Sequence, residues 1–368
     1  MKPGFRRSIA IVCLIVSVAL LAAVAQGNDI PSLKDLFEGR FLIGCAASRT
    51  FFLEDQLIRK HFNSVTPENS MKWESVHPSP GRYIFRDADA LMEYAEKNGI
   101  VVIGHTLIWH QQTPDWVFKD EAGNDLTREA LLERMREHIH TVVGRYKGRV
   151  HGWDVVNEAI DDTNGGLRNS PWRRIIGDDY IEWAFRFAHE ADPNAELYYN
   201  DYGTTNPKKR EAIYNLVKSL LDKGIRVDAI GMQGHWDIQS PSEQDIRATI
   251  ERFASLGVKV NITELDVSVF PWTDRSDRYA SGLPDEVAAR HAARYAMMFR
   301  VFLDYSDVID RVTFWGITDA NSWRNYYPVS RRTDYPLLFD RQGQPKAAFW
   351  AVVGTVSEYA GETQPIGE

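Results

Sequence analysis

Two glutamates, Glu158 and Glu264, each close a short hydrophobic run, Trp153-Asp154-Val155-Val156-Asn157 in one case and Val260-Asn261-Ile262-Thr263 in the other. A carboxylate at the end of a buried strand gives up hydration, a cost that persists unless the charge is paired or used. Two such groups facing one cleft can break a glycosidic bond: one carboxyl protonates the leaving oxygen while the other attacks the sugar or activates water. The structural alternative is that both glutamates are simply paired with Lys72 or an arginine.

The neighbouring residues favour chemistry. Polar and aromatic groups gather at Glu68-Asn69-Ser70-Met71-Lys72, at His105 with Trp109-His110-Gln111-Gln112, at Asn200-Asp201-Tyr202, at Gln233-Gly234-His235, at Asp266, and at Trp315 with Trp323. Each has an ordinary explanation alone, a hydrogen-bonded core histidine or a packed indole. Together they need a common mouth. His105 and His110 lie five residues apart rather than at a helical i, i+4 step, and neither a cysteine pair nor an HExxH motif is present, so no metal and no cofactor is expected. A GxSxG nucleophile elbow is also missing.

The elements that position these residues follow from periodicity. Short β-branched or aromatic runs at 41–48, 62–67, 101–108, 149–156, 196–200, 229–233, 258–263 and 312–316 read as strands. Amphipathic segments at 53–61, 88–98, 127–146, 179–191, 207–223, 243–256, 284–305 and 345–359 follow them in turn. Thr127 and Ser242 are placed as N-caps, Pro207 and Pro345 at helix starts, and Gly99, Gly148, Gly224 and Gly257 just beyond helix ends. Eight strand-helix units predict an α/β fold built as a single (β/α)8 TIM barrel, whose chemistry sits at the C-terminal ends of its strands. An open doubly wound sheet is the rival, and the lack of a Gly-rich turn after the first strand counts against it.

With the motifs in order, the chain resembles glycoside hydrolase family 10, the secreted endo-β-1,4-xylanases. The resemblance rests on Thr66-Pro67-Glu68-Asn69-Ser70-Met71-Lys72-Trp73, His105-Thr106-Leu107-Ile108-Trp109-His110, Trp153-Asp154-Val155-Val156-Asn157-Glu158, Gly231-Met232-Gln233-Gly234-His235, Ile262-Thr263-Glu264-Leu265-Asp266 and Trp315-Gly316-Ile317-Thr318-Asp319. It implies a retaining mechanism, with Glu158 as acid/base and Glu264 as nucleophile. By the same resemblance His235 hydrogen-bonds Glu264 and is held by Asp266, and Asn157 reaches the sugar's 2-hydroxyl. Glu68, Asn69, Lys72, His105, Trp109 and Gln112 form the polar wall of the non-reducing-side subsites, with Gln233 nearby, Tyr202 on the substrate, and Trp315 and Trp323 over the rings. An ionised Glu264 would raise the pKa of Glu158 and keep it protonated for the first step.

Gly203 departs from the family pattern, which often has another Asn there, and the charged stretch 270–282 and the Arg- and Tyr-rich stretch 321–335 can reshape the cleft. The expected substrates are xylan and xylo-oligosaccharides. A β-1,4-glucanase on a related barrel and a non-catalytic polysaccharide-binding barrel remain alternatives.

Composition and the N-terminus set the location. With 44% hydrophobic and 26% charged residues the chain can bury a sizeable core, which excludes disorder. Lys2, Arg6 and Arg7 precede an apolar run over 9–24 and the small-residue triplet Ala23-Val24-Ala25, the pattern of a secretory signal peptide over residues 1–25, with the catalytic barrel over 26–368. A membrane anchor would need about 20 apolar residues. The expectation is a secreted or periplasmic monomer with no stable membrane association after cleavage and Cys45 as its one remaining cysteine. Cleavage removes three basic residues and takes the formal charge from −8 to −11, which disfavours nucleic-acid partners. Eleven tryptophans exceed the needs of a core and suit a flat, weakly polar ligand.

Overall fold

A computed structural model describes residues 30–363. The segment 1–25 read as a signal peptide lies outside the described residues. Among the described residues nine parallel strands run β1 (Leu42–Ala47), β2 (Ser64–Pro67), β3 (Val101–Ile108), β4 (Gly152–Asn157), β5 (Glu196–Asp201), β6 (Ala229–Met232), β7 (His235–Asp237), β8 (Lys259–Ser268) and β9 (Arg311–Phe314). Strands β1 to β6 pair in sequence, β6 pairs with β8, β8 with β9, and β9 with β1, so eight strands close a barrel. The predicted (β/α)8 architecture is the one observed.

One long helix follows each barrel strand: α1 (Asp55–His61), α2 (Arg86–Asn98), α3 (Arg128–Arg145), α4 (Tyr180–Ala191), α5 (Pro207–Asp222), α6 (Glu243–Ala254), α7 (Asp285–Asp304) and α8 (Ala347–Thr363). Local chemistry starts and stops them. Thr127 accepts from Ala130 N at 3.3 Å at the start of α3, and Ser242 and Asp245 form a reciprocal capping box at α6. Asn206 caps α5 just ahead of Pro207. Gly99 ends α2 with a left-handed φ of 65°. The helices press apolar faces onto the sheet, as where Phe299 of α7 stacks on Phe314 of β9.

Three expectations are corrected. Residues 149–151 precede β4, because Arg149 and Val150 still bond back to Tyr146 at the end of α3. Pro345 lies two residues ahead of α8, in a bridge with Phe339. The third bears on the site: β8 does not stop at Thr263 but runs on to Ser268, so Glu264 and Asp266 lie within the strand. The short strand β7, separated from β6 by Gln233-Gly234, pairs His235 with Asp266 and carries β8 above the barrel rim.

Two glycines show why the strand positions are small. A Cβ on Gly152 would fall 2.2 Å from the hydroxyl of Tyr198. A Cβ on Gly231 would fall 2.3 Å from Oδ1 of Asn200, so the absent side chain makes room for an amide that the site uses.

Candidate active site

The C-terminal ends of β4, β5 and β6 meet at one level, through which β8 passes: Asn157 is registered with Asn200, Asn200 with Gly231, and Gly231 with Asn261. Beyond that level the ladder continues through loop backbone, with Glu158 N bonded to Asn200 O at 2.9 Å and Glu264 N to Gln233 O at 2.8 Å. Register shifts between Asp154 and Val156 and between Ile262 and Leu265 re-aim the strand ends, as bulges do beside active sites. Glu158 itself takes φ 58°, a left-handed conformation that is uncommon for a residue with a side chain.

The surroundings of the two glutamates differ. Glu264, 5% exposed, accepts from Asn200 Nδ2 at 2.7 Å on Oε1 and faces His235 Nε2 at 3.1 Å on Oε2. The other ring nitrogen of His235 lies 2.9 Å from Asp266 Oδ2. Burial works against charge on this histidine, but the two carboxylates outweigh it and push its pKa up to about 9, so an imidazolium faces Glu264. Burial likewise opposes ionisation of Glu264, and the hydrogen bond from His235 and the nearby positive charge more than offset it: its pKa is lowered.

Glu158, 8% exposed, accepts from Trp109 Nε1 at 2.9 Å on Oε2, and from Gln233 Nε2 at 3.0 Å and Asn157 Nδ2 at 3.3 Å on Oε1. None of these donors is charged. Burial is the largest influence on it, and the buried Asp201 and Glu264 add to it, so the pKa of Glu158 is raised despite the hydrogen bonds. Among the described residues no lysine or arginine is in ion-pair contact with either glutamate, and the structural alternative fails. Asn200 and Gln233 both donate to Asn157 Oδ1, at 3.0 and 3.2 Å, and so tie the two carboxylates into one hydrogen-bonded unit.

Of the predicted polar wall, Asn69, Lys72, Trp109 and Gln112 lie together. Lys72 Nζ donates to Asn69 Oδ1 at 3.1 Å and to Gln112 Oε1 at 2.8 Å, and stands 4.9 Å from the Trp109 ring centre. Burial lowers the pKa of Lys72 and raises that of Glu68. His105 is buried deeper than a wall residue, with Nδ1 on Asp154 Oδ2 at 2.8 Å. Trp315 lies edge-on to His105 and His235, and Trp323 edge-on to His235 while its Nε1 donates to Asp266 Oδ2 at 2.7 Å. Tyr202 is held by Asp162, Arg168 and Lys209, whose ammonium lies 3.5 Å from its ring centre.

Comparison with known proteins places this arrangement. Residues 32–355 match the profile of glycosyl hydrolase family 10. The chain belongs to that family. It is 50% identical over 328 residues to an endo-1,4-beta-xylanase of Geobacillus stearothermophilus, covering 89% of this chain and 99% of the relative. A beta-1,4-xylanase of Dictyoglomus thermophilum is 46% identical over 353 residues, 95% of this chain and 98% of its own. The crystal structure of xylanase XynB from Paenibacillus barcinonensis, complexed with a conduramine derivative, superposes with a TM-score of 0.86 at 48% identity, over 89% of this chain and all of that one.

The family-10 site holds residues beyond the predicted set. Asn200 and Asp201 stand in the strand-end motif beside Tyr202; Asn200 donates to Glu264, while Asp201, bonded to Tyr199 and paired with Lys209, acts on Glu158 through its charge. Arg168 donates Nε to the backbone oxygen of Glu158 at 3.1 Å from a loop with no sequence signal. At Gly203 the space is occupied from elsewhere: the Lys209 side chain of α5 passes 3.6 Å from where a Cβ would lie and pairs with Asp201 and Asp162.

Proposed function

We propose that this family-10 hydrolase is a secreted, monomeric endo-β-1,4-xylanase that cleaves the xylan backbone with retention of configuration and without a cofactor. The observation that carries the reading is the contrast between a raised Glu158 and a lowered Glu264 inside one hydrogen-bonded unit. Protonated Glu158 gives its proton to the leaving oxygen while ionised Glu264 attacks the anomeric carbon and forms a glycosyl ester. That ester removes the charge of Glu264. Glu158, left ionised by the first step, takes a proton from the incoming water as general base while the water oxygen attacks the anomeric carbon and the ester bond to Glu264 breaks, which restores its carboxylate. Asn157, held by Asn200 and Gln233, serves the 2-hydroxyl beside the reacting carbon.

Trp315 and Trp323 both lie edge-on to His235, beside Glu264, and xylose, which lacks the CH2OH of glucose, suits a wall of two indoles there. The xylanase names of the relatives support the substrate, and the pattern of residues 1–25 supports export. Among the described residues no helix is long and apolar enough to cross a membrane.

The test is digestion of defined xylo-oligosaccharides with the anomer of the first product read by NMR, alongside rates on xylan and on a soluble cellulose derivative. Initial β-anomer and a strong preference for xylan are expected. An initial α-anomer would overturn retention, and a preference for the cellulose derivative would make the protein a glucanase. Sequencing the exported protein's N-terminus and light scattering test the cleavage after Ala25 and the monomer.

A further inference from the structure

Arg324 follows Trp323 in the chain and is 1% exposed. Its Nε donates to Oδ1 of Asp266 at 2.8 Å, and its Cζ lies 5.3 and 4.9 Å from the ring centres of Trp272 and Trp323. A guanidinium enclosed by indoles is costly to bury unless its charge is answered. The answer is Asp266, which is fully buried and whose other oxygen takes His235 Nδ1 and Trp323 Nε1. Among the described residues His235 and Arg324 are the ion-pair partners of Asp266. Charges therefore alternate along a line: Arg324, Asp266, His235, Glu264.

We propose that Arg324 is a positioning residue for the nucleophile: by balancing the charge of Asp266, it lets Asp266 and Glu264 both stay ionised on either side of the His235 imidazolium. The inference rests on the reading of Glu264 as nucleophile. With Arg324 present, two cations and two anions sum to zero in a buried place. Without it, one cation stands between two carboxylates, and a net negative charge in a low-dielectric interior favours uptake of a proton. Glu264, whose protonation ends catalysis, is a site where that proton can go.

Other charged groups face the line and do not replace Arg324. His105 with Asp154, Lys72, Glu68 and Glu158 lie on the cleft side around Glu264. Arg332, Asp334 and Tyr295 lie behind, around Arg324 and Asp266, and Asp237 lines the same pocket as Arg324. Neither Lys72 nor Arg332 is in ion-pair contact with Asp266.

The experiment measures kcat/KM against pH on an aryl xylobioside for the unsubstituted enzyme, Arg324→Met, Arg324→Gln and Arg324→Lys. Loss of the charge should move the acid limb up by about one pH unit, with the basic limb in place. Arg324→Lys should return most of that displacement. A folded Arg324→Met with the parent's acid limb overturns the proposal, as does an Arg324→Lys displaced as far as the neutral variants. Arg324→Gln, which keeps an N–H for Asp266, gives the same decision if Arg324→Met does not fold. In an Asp266→Asn background Arg324→Gln should shift nothing further, and an undiminished shift there would mean that Arg324 does not act through Asp266. Separately, a 2-deoxy-2-fluoro xylobioside should label Glu264 of the unsubstituted enzyme, located by mass spectrometry. A label elsewhere would defeat the nucleophile reading, whatever the arginine variants do.

Discussion

The side-chain amide of Asn200 donates to Oε1 of Glu264 at 2.7 Å, across the interval from β5 to β8. Thr263 Oγ1 donates to the oxygen of the same amide at 2.6 Å and so fixes which way it faces. A hydrogen bond to an ionised group contributes about 1.5–3 kcal/mol. Asn200→Ala should therefore lower kcat/KM by about 10- to 100-fold and move the acid limb of the pH profile upward, because the charged form of Glu264 loses a donor. Parent kinetics in a folded variant would reduce the contact to packing.

The two glutamates should separate by the step each controls. Glu158→Ala removes the acid, which an aryl xylobioside with a good leaving group scarcely needs, but it also removes the base for the second step. A burst of phenol followed by slow turnover is expected, with azide restoring the rate and giving a β-glycosyl azide. Glu264→Ala should show no burst on any substrate. Stopped-flow traces that swapped these behaviours would reverse the roles while keeping the pair.

Activity should span a bell between the lowered Glu264, which must be ionised, and the raised Glu158, which must be protonated. Burial is the main cause of the raised value, and Asp201 is the largest charge contributing to it. Asp201→Asn should move the basic limb down and leave the acid limb in place. Lys209, then paired with Asp162 alone, pulls in the same direction. A basic limb that stays put or rises would show that Asp201 exerts no effect on Glu158.

Trp323 performs two tasks that substitution can divide. Trp323→Ala opens room for a CH2OH, so the ratio of kcat/KM for xylosides over glucosides should fall about tenfold, or ~1.4 kcal/mol. It also strips Asp266 of a donor. Trp323→Phe loses the donor but keeps an aromatic ring, and should retain more of the sugar preference than Trp323→Ala. Equal ratios in both variants and the parent would make Trp323 a core residue.

Acid should weaken the fold through buried histidines. Burial holds His61 and His77 down to about 4, and His138 and His291 well below their ordinary value of 6.5. The Nδ1 atoms of His77 and His138 are hydrogen-bonded to each other at 3.3 Å. Each is neutral in the fold, so its stabilisation is complete above pH 6.5 and is lost as the pH falls from there to about 4. Calorimetry should find Tm falling steeply across that window. A flat Tm between pH 7 and 4.5 would contradict the burial-driven shifts.

The eightfold alternation of strand and helix was legible because strand and helix periodicities, caps and glycine stops agree along the chain, and each is a local property of consecutive residues. Glu158 and Glu264 were legible for the same reason: a charged residue at the end of an apolar run conflicts with burial and so announces itself. The extension of β8 was hidden, since Glu264-Leu265-Asp266 alternates polar and apolar like an ordinary strand end, and the pairing that prolongs it comes from His235, across a break in β6.

What the amino-acid order determined alone was the (β/α)8 class, the two carboxylates, and the set of polar strand ends that must share a mouth. Which carboxylate is acid and which is anion depended on neighbours distant in sequence: His235 and Asn200 around Glu264, Trp109, Gln233 and Asp201 around Glu158. The same holds for Arg324, which reads in the chain as one more charge in a basic stretch and in the fold as the buried partner of Asp266. Ionisation follows burial and charges a few ångströms away, and those distances exist only once the barrel has closed.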